Sequence, residues 1–164
     1  METIIIDAYN LMHKVKELHV LLKQSQDVAV DTMIAKLQSH FYNSKTKIIL
    51  VFDGYGMNRH GGNINVKFSK TDTGNHFLNA DELIKDLVDR SRNPKLLKIV
   101  SSDNSITLYA RDSSCKIQSS ASFWGELKEK QIKQNITGSK EGSEKPQVVT
   151  RGELEFLLKE FNRK

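Results

Sequence analysis

A single cysteine, Cys115, stands in the 164 residues, so no disulfide can close within the chain. A lone thiol agrees with a reducing compartment, and Cys115 reads as a small buried hydrophobe on a strand. No apolar run approaches the roughly 20 residues of a membrane span. The first run, Ile4-Ile5-Ile6, stops after three residues, and no basic leader precedes it. Neither a signal peptide nor a membrane partner is expected, and a cytoplasmic protein is. The five histidines show no zinc-ligand spacing, which with one thiol argues against a zinc site. The glycines near Gly56 fail the GxGxxG spacing, and no Walker motif is present. Nothing supports a serine or cysteine nucleophile.

What is present is a soluble, globular composition with 38% hydrophobic and 27% charged residues. The length suits one domain with a real apolar core. The formal charge of +5 is a mild bias toward polyanions, which gains meaning only beside a site able to act on phosphate.

Strand and helix patterns alternate along the chain. Short apolar runs at 3–6, 47–52 and 96–100 read as buried strands, with weaker strands at 65–69 and 115–118. Helical spacing covers 28–41 (Val30, Met33, Ile34, Leu37, Phe41), 79–92, 105–110 and 120–132. Asn79 and Glu82 form a capping-box pattern, and Asn93-Pro94 stops that helix. Phe123 and Trp124 fall at core positions of the last of these helices. Buried strands alternating with helices imply an α/β sandwich around a mostly parallel sheet. Residues 1–134 are expected to form this domain. Residues 135–149, polar and carrying Gly138, Gly142 and Pro146, read as a flexible linker or loop. Thr150-Arg151-Gly152-Glu153 then opens a C-terminal amphipathic helix, 150–164, expected to pack on the domain.

In an open parallel sheet, ligands bind beyond the carboxyl ends of the strands. Three predicted strands there end in acid: Asp7, Asp53 and, after Ser101-Ser102, Asp103. Asp81 lies three residues before Ile84 and seven before Val88, which puts it on or beside the apolar face of its helix. Clustered carboxylates repel one another, and a divalent cation relieves that repulsion. Mg²⁺ and Mn²⁺ favour oxygen ligands and keep several waters, one of which can attack a phosphodiester. Asp7, Asp81 and Asp103 form the expected metal-ligand set, with Asp53 as a weaker fourth. Each acid also has an ordinary alternative. Asp7 and Asp53-Gly54 suit turns, Asp81 complements a helix dipole, and Asp103 suits an N-cap.

The order of these motifs resembles a known family. Ile4-Ile5-Ile6-Asp7-Ala8-Tyr9-Asn10 looks like the opening of NYN domains, a branch of the PIN-like nucleases. Phe52-Asp53-Gly54, then Lys67-Phe68-Ser69-Lys70 leading to Asn79-Ala80-Asp81-Glu82, follow the order of the YacP-like branch, as do Val100-Ser101-Ser102-Asp103 and Ser119-Ser120-Ala121. The likeness spans residues 3 to about 127. It implies a PIN-like three-layer α/β/α fold, Mg²⁺ or Mn²⁺ on acidic residues, and endonucleolytic cleavage of RNA, mRNA included. It also supports Asn10 as a catalytic residue that orients water or contacts phosphate. The glycine-rich segment 53–63 matches no motif of the family.

Tyr55, Arg59 and His60, in a segment 54–63 expected to be a mobile loop, suit contacts to single-stranded RNA. Lys67, Lys70, Arg111 and Lys116 are expected to flank the acidic edge and hold phosphates. Ser120 is a further phosphate donor, with helix capping as its alternative. The leading expectation is a metal-dependent endoribonuclease that can require the ribosome to present its substrate. The rival is a non-catalytic RNA-binding or ribosome-associated protein of the same fold. A haloacid-dehalogenase phosphatase wants an aspartate where Tyr9 stands, and a toprim site needs an Asp-x-Asp pair that the chain lacks.

Overall fold

A computed structural model describes residues 1–138 apart from Thr73 and Asn75. The chain divides into two compact units, Met1–Gln131 and Ile132–Lys164. The first carries the sheet and every site residue discussed below. The expected C-terminal helix and its capping box lie outside the described residues.

Strand β1 (Thr3–Asp7) is followed by three helices, α1 (Ala8–Lys14), α2 (Lys16–Gln24) and α3 (Gln26–Phe41). Then come β2 (Lys47–Tyr55), β3 (Arg59–Gly61), β4 (Ile64–Lys70), α4 (Ala80–Asp89), β5 (Leu97–Val100), α5 (Asn104–Asp112), β6 (Lys116–Gln118) and α6 (Ser120–Gly138). The six strands form one sheet in the order β3-β4-β2-β1-β5-β6. Every pairing is parallel except β3 with β4. The mostly parallel α/β sheet expected from the sequence is therefore present.

The apolar runs of β1 and β2 are continuous because both faces of the sheet are covered. Ile4 and Ile6, with Ile48, Leu50, Phe52, Val66 and Val100, pack on one face with Leu11, Leu18, Met33, Leu37, Phe123, Trp124 and Leu127 from α1, α2, α3 and α6. Ile5, with Ile49, Val51, Leu97 and Ile99, packs on the other face with Leu83, Ile84 and Val88 of α4 and Ile106 and Ala110 of α5. These are the three layers.

The chain steps from β1 outward to β2 and β4, then crosses back to β5 and β6. The order reverses at β1 and β5, which makes their carboxyl ends the topological switch point where such sheets bind ligands. Successive strand residues alternate faces. Asp7, Asp53, Ser69 and Ser101 continue the odd-numbered series Ile5, Val51, Lys67 and Ile99, so all four belong to the α4–α5 face at this edge.

Several local expectations change. The segment 8–24 gave no helix from spacing alone. It is two short helices broken at Val15, whose φ −93° and ψ 112° are extended. The segment 54–63 is not a free loop. Gly54 and Tyr55 continue β2 through a bulge, with Gly54 at φ +98°, and Arg59–Gly61 pairs with β4. The capping box at α4 is half made. Asn79 accepts from the Glu82 amide at 3.0 Å, but the Glu82 carboxylate turns to Lys85 at 3.2 Å. Helix α6 runs to Gly138, into the stretch read as linker.

Candidate active site

Asp7 ends β1 and caps α1, accepting from the Asn10 amide at 3.3 Å. It is only 8% exposed. Burial is the largest influence on its carboxyl, and the charges of Asp81 and Asp103 push in the same direction. The Asn10 amide and the Ser101 hydroxyl pull the other way, and the result is a pKa raised from 3.8 to about 6. Asp81, in the first turn of α4, is also raised, by burial first and then by Asp103, Glu82 and Asp53, with Lys85 opposing. Asp103 caps α5, its Oδ1 accepting from the amides of Ser105 at 2.8 Å and Ile106 at 3.2 Å. The capping alternative is thus real, and Oδ2 remains for another partner. Asp53 is exposed and accepts from the buried Ser69 hydroxyl at 2.9 Å.

Three elements thus bring Asp7, Asp81 and Asp103 within one another's field, and Asp53 reaches Asp81. The ion pairs among the described residues involve none of these four. Their donor chemistry, all carboxylate oxygen with mutual repulsion, fits a hard divalent cation. As placed, no group of three or more acid, histidine or cysteine side chains among the described residues closes round one point. As they stand, the four acids do not form a finished metal cage.

Asn10 has a more structural position than the sequence suggested. Its Oδ1 accepts from the Ser102 amide at 2.9 Å and from the Ser120 hydroxyl at 2.8 Å. One carboxamide thereby ties α1 to the β5–α5 turn and to the start of α6. Ser120, expected as a phosphate donor, is fully buried and gives its hydroxyl proton to Asn10 instead. The cap of α6 is its neighbour Ser119, which accepts from the Ser122 amide at 3.2 Å.

The basic residues divide. Lys67 stands level with Asp7 across the sheet, through the register Asp7–Val51–Lys67. Two strand spacings put their backbones about 10 Å apart. Lys70 ends β4 opposite Tyr55. Arg111 and Lys116 do not flank the acidic edge. Arg111 is near the far end of α5, and Lys116 starts β6 at the other edge of the sheet, paired with Glu2 at 3.1 Å. Sequence order misled because a helix and a returning strand carry these residues away from Asp103. Arg59 pairs with Val66 and so belongs to the face opposite Asp7, whereas His60 shares Asn65's face, with its Nδ1 2.5 Å from Asn65 Oδ1. Tyr55 is 67% exposed and its ring lies 6.4 Å from that of exposed His76.

Three hydroxyls escaped the sequence reading. Ser69, Ser101 and Ser102 hold Asp53, Asp103 and the α6 start respectively. Their signal was legible: Ser69 and Ser101 continue buried strand faces where an apolar residue would be ordinary.

A family description, the YacP-like NYN domain, matches residues 4–159. The chain belongs to the YacP-like NYN domain family. Two crystal structures of Rae1 (YacP) from Bacillus subtilis are similar to it. One, a single-residue mutant, shares 22% identity over 94% of this chain and 91% of that one, with a TM-score of 0.67. The other shares 19% over 99% and 94%, with a TM-score of 0.63. No curated protein matches. The PIN-like NYN fold expected from the motifs is therefore the fold of this YacP-like domain, a nuclease fold. None of its helices, among the described residues, is long and apolar enough to cross a membrane.

Proposed function

We propose that this YacP-like domain is an endoribonuclease that hydrolyses RNA, mRNA included, with Mg²⁺ or Mn²⁺ held by Asp7, Asp81 and Asp103, and with Asp53 assisting. The observation that carries the reading is a buried carboxylate, Asp7, raised to about 6 beside two further acids at the switch point of the sheet. A purely structural protein gains nothing from such an arrangement. Perturbed carboxylates in one place are instead what a functional site builds.

When bound, the cation would neutralise charge on the phosphate and supply an activated water. The chain's own residues do the rest. The three carboxylates present acceptor oxygens and exclude phosphate until their charge is balanced. Asn10, fixed by Ser102 and Ser120, offers Nδ2 hydrogens at a constant orientation. Lys67 and Lys70 hold flanking phosphates. The Tyr55–His76 pair offers ring faces to unpaired bases, which favours single-stranded RNA. Water attacks phosphorus, the bond to the 3′ oxygen breaks, and that oxygen takes a proton. The products then carry 5′-phosphate and 3′-hydroxyl ends.

The test uses end-labelled structured and unstructured RNAs with Mg²⁺, Mn²⁺ or EDTA, beside Asp7→Asn and Asp81→Asn. Cleavage is expected with metal only, and only in the parent protein. Cyclic phosphate ends that persist in EDTA would overturn the mechanism. Salt-dependent binding without cleavage, on free RNA and on ribosomes alike, would favour the non-catalytic reading.

A further inference from the structure

A cavity of about 330 Å³ opens beside the acidic edge, at the carboxyl ends of β5 and β6. It is lined by Ser102, Asn104, Thr107, Ile117, Gln118 and Ser119, among others. We propose that this cavity is a nucleobase subsite that reads one nucleotide of the RNA beside the scissile bond. The proposal rests on the nuclease reading above and adds to it a place where sequence preference arises.

Position is the first argument. Asp103 stands between Ser102 and Asn104, both of which line the cavity. A nucleotide with its phosphate at the acids therefore has its base or sugar within reach of this pocket.

Chemistry is the second. No lysine, arginine, aspartate or glutamate lines the cavity. A phosphate would find no cation there and would meet the charge of Asp103 nearby. A neutral, flat group with hydrogen-bonding edges fits instead. Ile117 gives an apolar wall. Thr107 donates its hydroxyl to the Asn104 carbonyl at 3.2 Å, so that proton is already engaged. Ser102 accepts from the Ser120 amide and Ser119 from the Ser122 amide, so each hydroxyl proton is still available. Gln118 uses its Nε2 on Ser122 at 3.4 Å and keeps Oε1. The exposed Asn104 carboxamide makes no hydrogen bond among the described residues and offers both a donor and an acceptor. An amide of this kind, with a glutamine oxygen and hydroxyl donors, can read the edge of an unstacked base.

Size is the third. Sites for small organic groups span roughly 300–1,000 Å³, and this cavity stands at the low end. It takes one nucleoside, not a duplex. Its lining is held rigidly, since Ser101 and Gln118 close the β5–β6 ladder at 3.2 Å and the Asn10–Ser102–Ser120 bonds fix the opposite rim.

The experiment compares the full chain with Asn104→Ala and Gln118→Ala. A pool of short RNAs randomised around the cut is digested with Mn²⁺ and its products sequenced. A base preference at one position is expected, flattened about tenfold in the variants, as for one lost hydrogen bond. Anisotropy with Asp7→Asn in EDTA gives a readout free of cleavage. An abasic nucleotide at that position should weaken binding about tenfold in Asp7→Asn, but not when Asn104→Ala is added. Thermal melts confirm that the variants fold. Unchanged preference in both variants, with cleavage intact, overturns the subsite and leaves the nuclease reading standing. Sensitivity to a 2′-deoxy sugar but not to base removal overturns it in favour of ribose recognition. A parent protein that neither cuts nor binds RNA overturns both.

Discussion

Folding resists the ionisation of Asp7. Its folded pKa is about 6 against 3.8 for the free side chain, and this raised value fixes the sign of the effect. Below about pH 3.8 the carboxyl is protonated in both states and costs nothing. Between 3.8 and 6 the unfolded chain releases the proton while the folded chain keeps it, so stability falls. Above about 6 the loss is complete, at about 3 kcal/mol. In metal-free buffer, Asp7→Asn should therefore melt several degrees above the parent at pH 7.5 and together with it at pH 3.5. Asparagine caps a helix nearly as well as aspartate, so the comparison isolates the charge. Equal melting temperatures across that range would show that Asp7 is not held in this environment. Asn10 makes a second case. Asn10→Ala strips the acceptor from the Ser102 amide and the Ser120 hydroxyl, at a cost of about 2 kcal/mol. Ser120→Ala removes only one bond and should cost about 1 kcal/mol. If both residues act by positioning, each should lower kcat with little change in KM. A rise in KM alone would instead mark Asn10 as a binding group.

At the scale of elements, Gly56 follows β2 directly, its amide donating to the carbonyl of Lys70 at the end of β4 at 3.1 Å. A Cβ there would lie 2.4 Å from the Phe68 ring, which stacks on Phe52 at 5.3 Å. Gly56→Ala must push the Phe68 ring off its stack and should destabilise by about 1–3 kcal/mol, as overpacking does. Denaturant midpoints measure it, and a neutral result would mean that the turn yields instead. Some elements announced themselves in the sequence and others did not, for physical reasons. The strands at Ile4 and Ile49 were plain because two-sided burial writes a continuous apolar run. Helix α4 was plain because Leu83, Ile84 and Val88 keep one face. Helices α1 and α2 were not, because the break at Val15 resets the period after seven residues. Strand β3 was hidden because Arg59–Gly61 is exposed throughout and so carries no burial pattern. At the site, the convergence of Asp7, Asp81 and Asp103 was legible from strand ends and one misplaced helix acid. The clamp on Asn10 was not, because Ser102 and Ser120 lie 92 and 110 residues away in sequence. The same distance blindness put Arg111 and Lys116 at the wrong edge.

For the molecule as a whole, two electrostatic tendencies oppose each other. The chain is net positive by five charges, which on the proposed function would draw RNA from a distance and make its binding depend on salt. The acidic edge repels phosphate at the one place where chemistry is proposed. A cation there removes the repulsion, so cation and RNA must strengthen each other's binding. Linkage makes the two effects equal, and couplings between sites are typically 5–150-fold. With a 2′-deoxy, phosphorothioate-blocked oligonucleotide to prevent turnover, Mn²⁺ should tighten binding by a factor within that range. The oligonucleotide should lower the Mn²⁺ dissociation constant, read by thermal shift, by the same factor. Asp81→Asn should bind the oligonucleotide more tightly than the parent in EDTA, because one repelling charge is gone, yet gain little from Mn²⁺. Unequal factors would mean that the ion acts on the nucleic acid rather than in the site. Affinity indifferent to both Mn²⁺ and Asp81→Asn would place the bound strand away from the acids, and the carboxyl edge of this sheet would then not be where RNA is held.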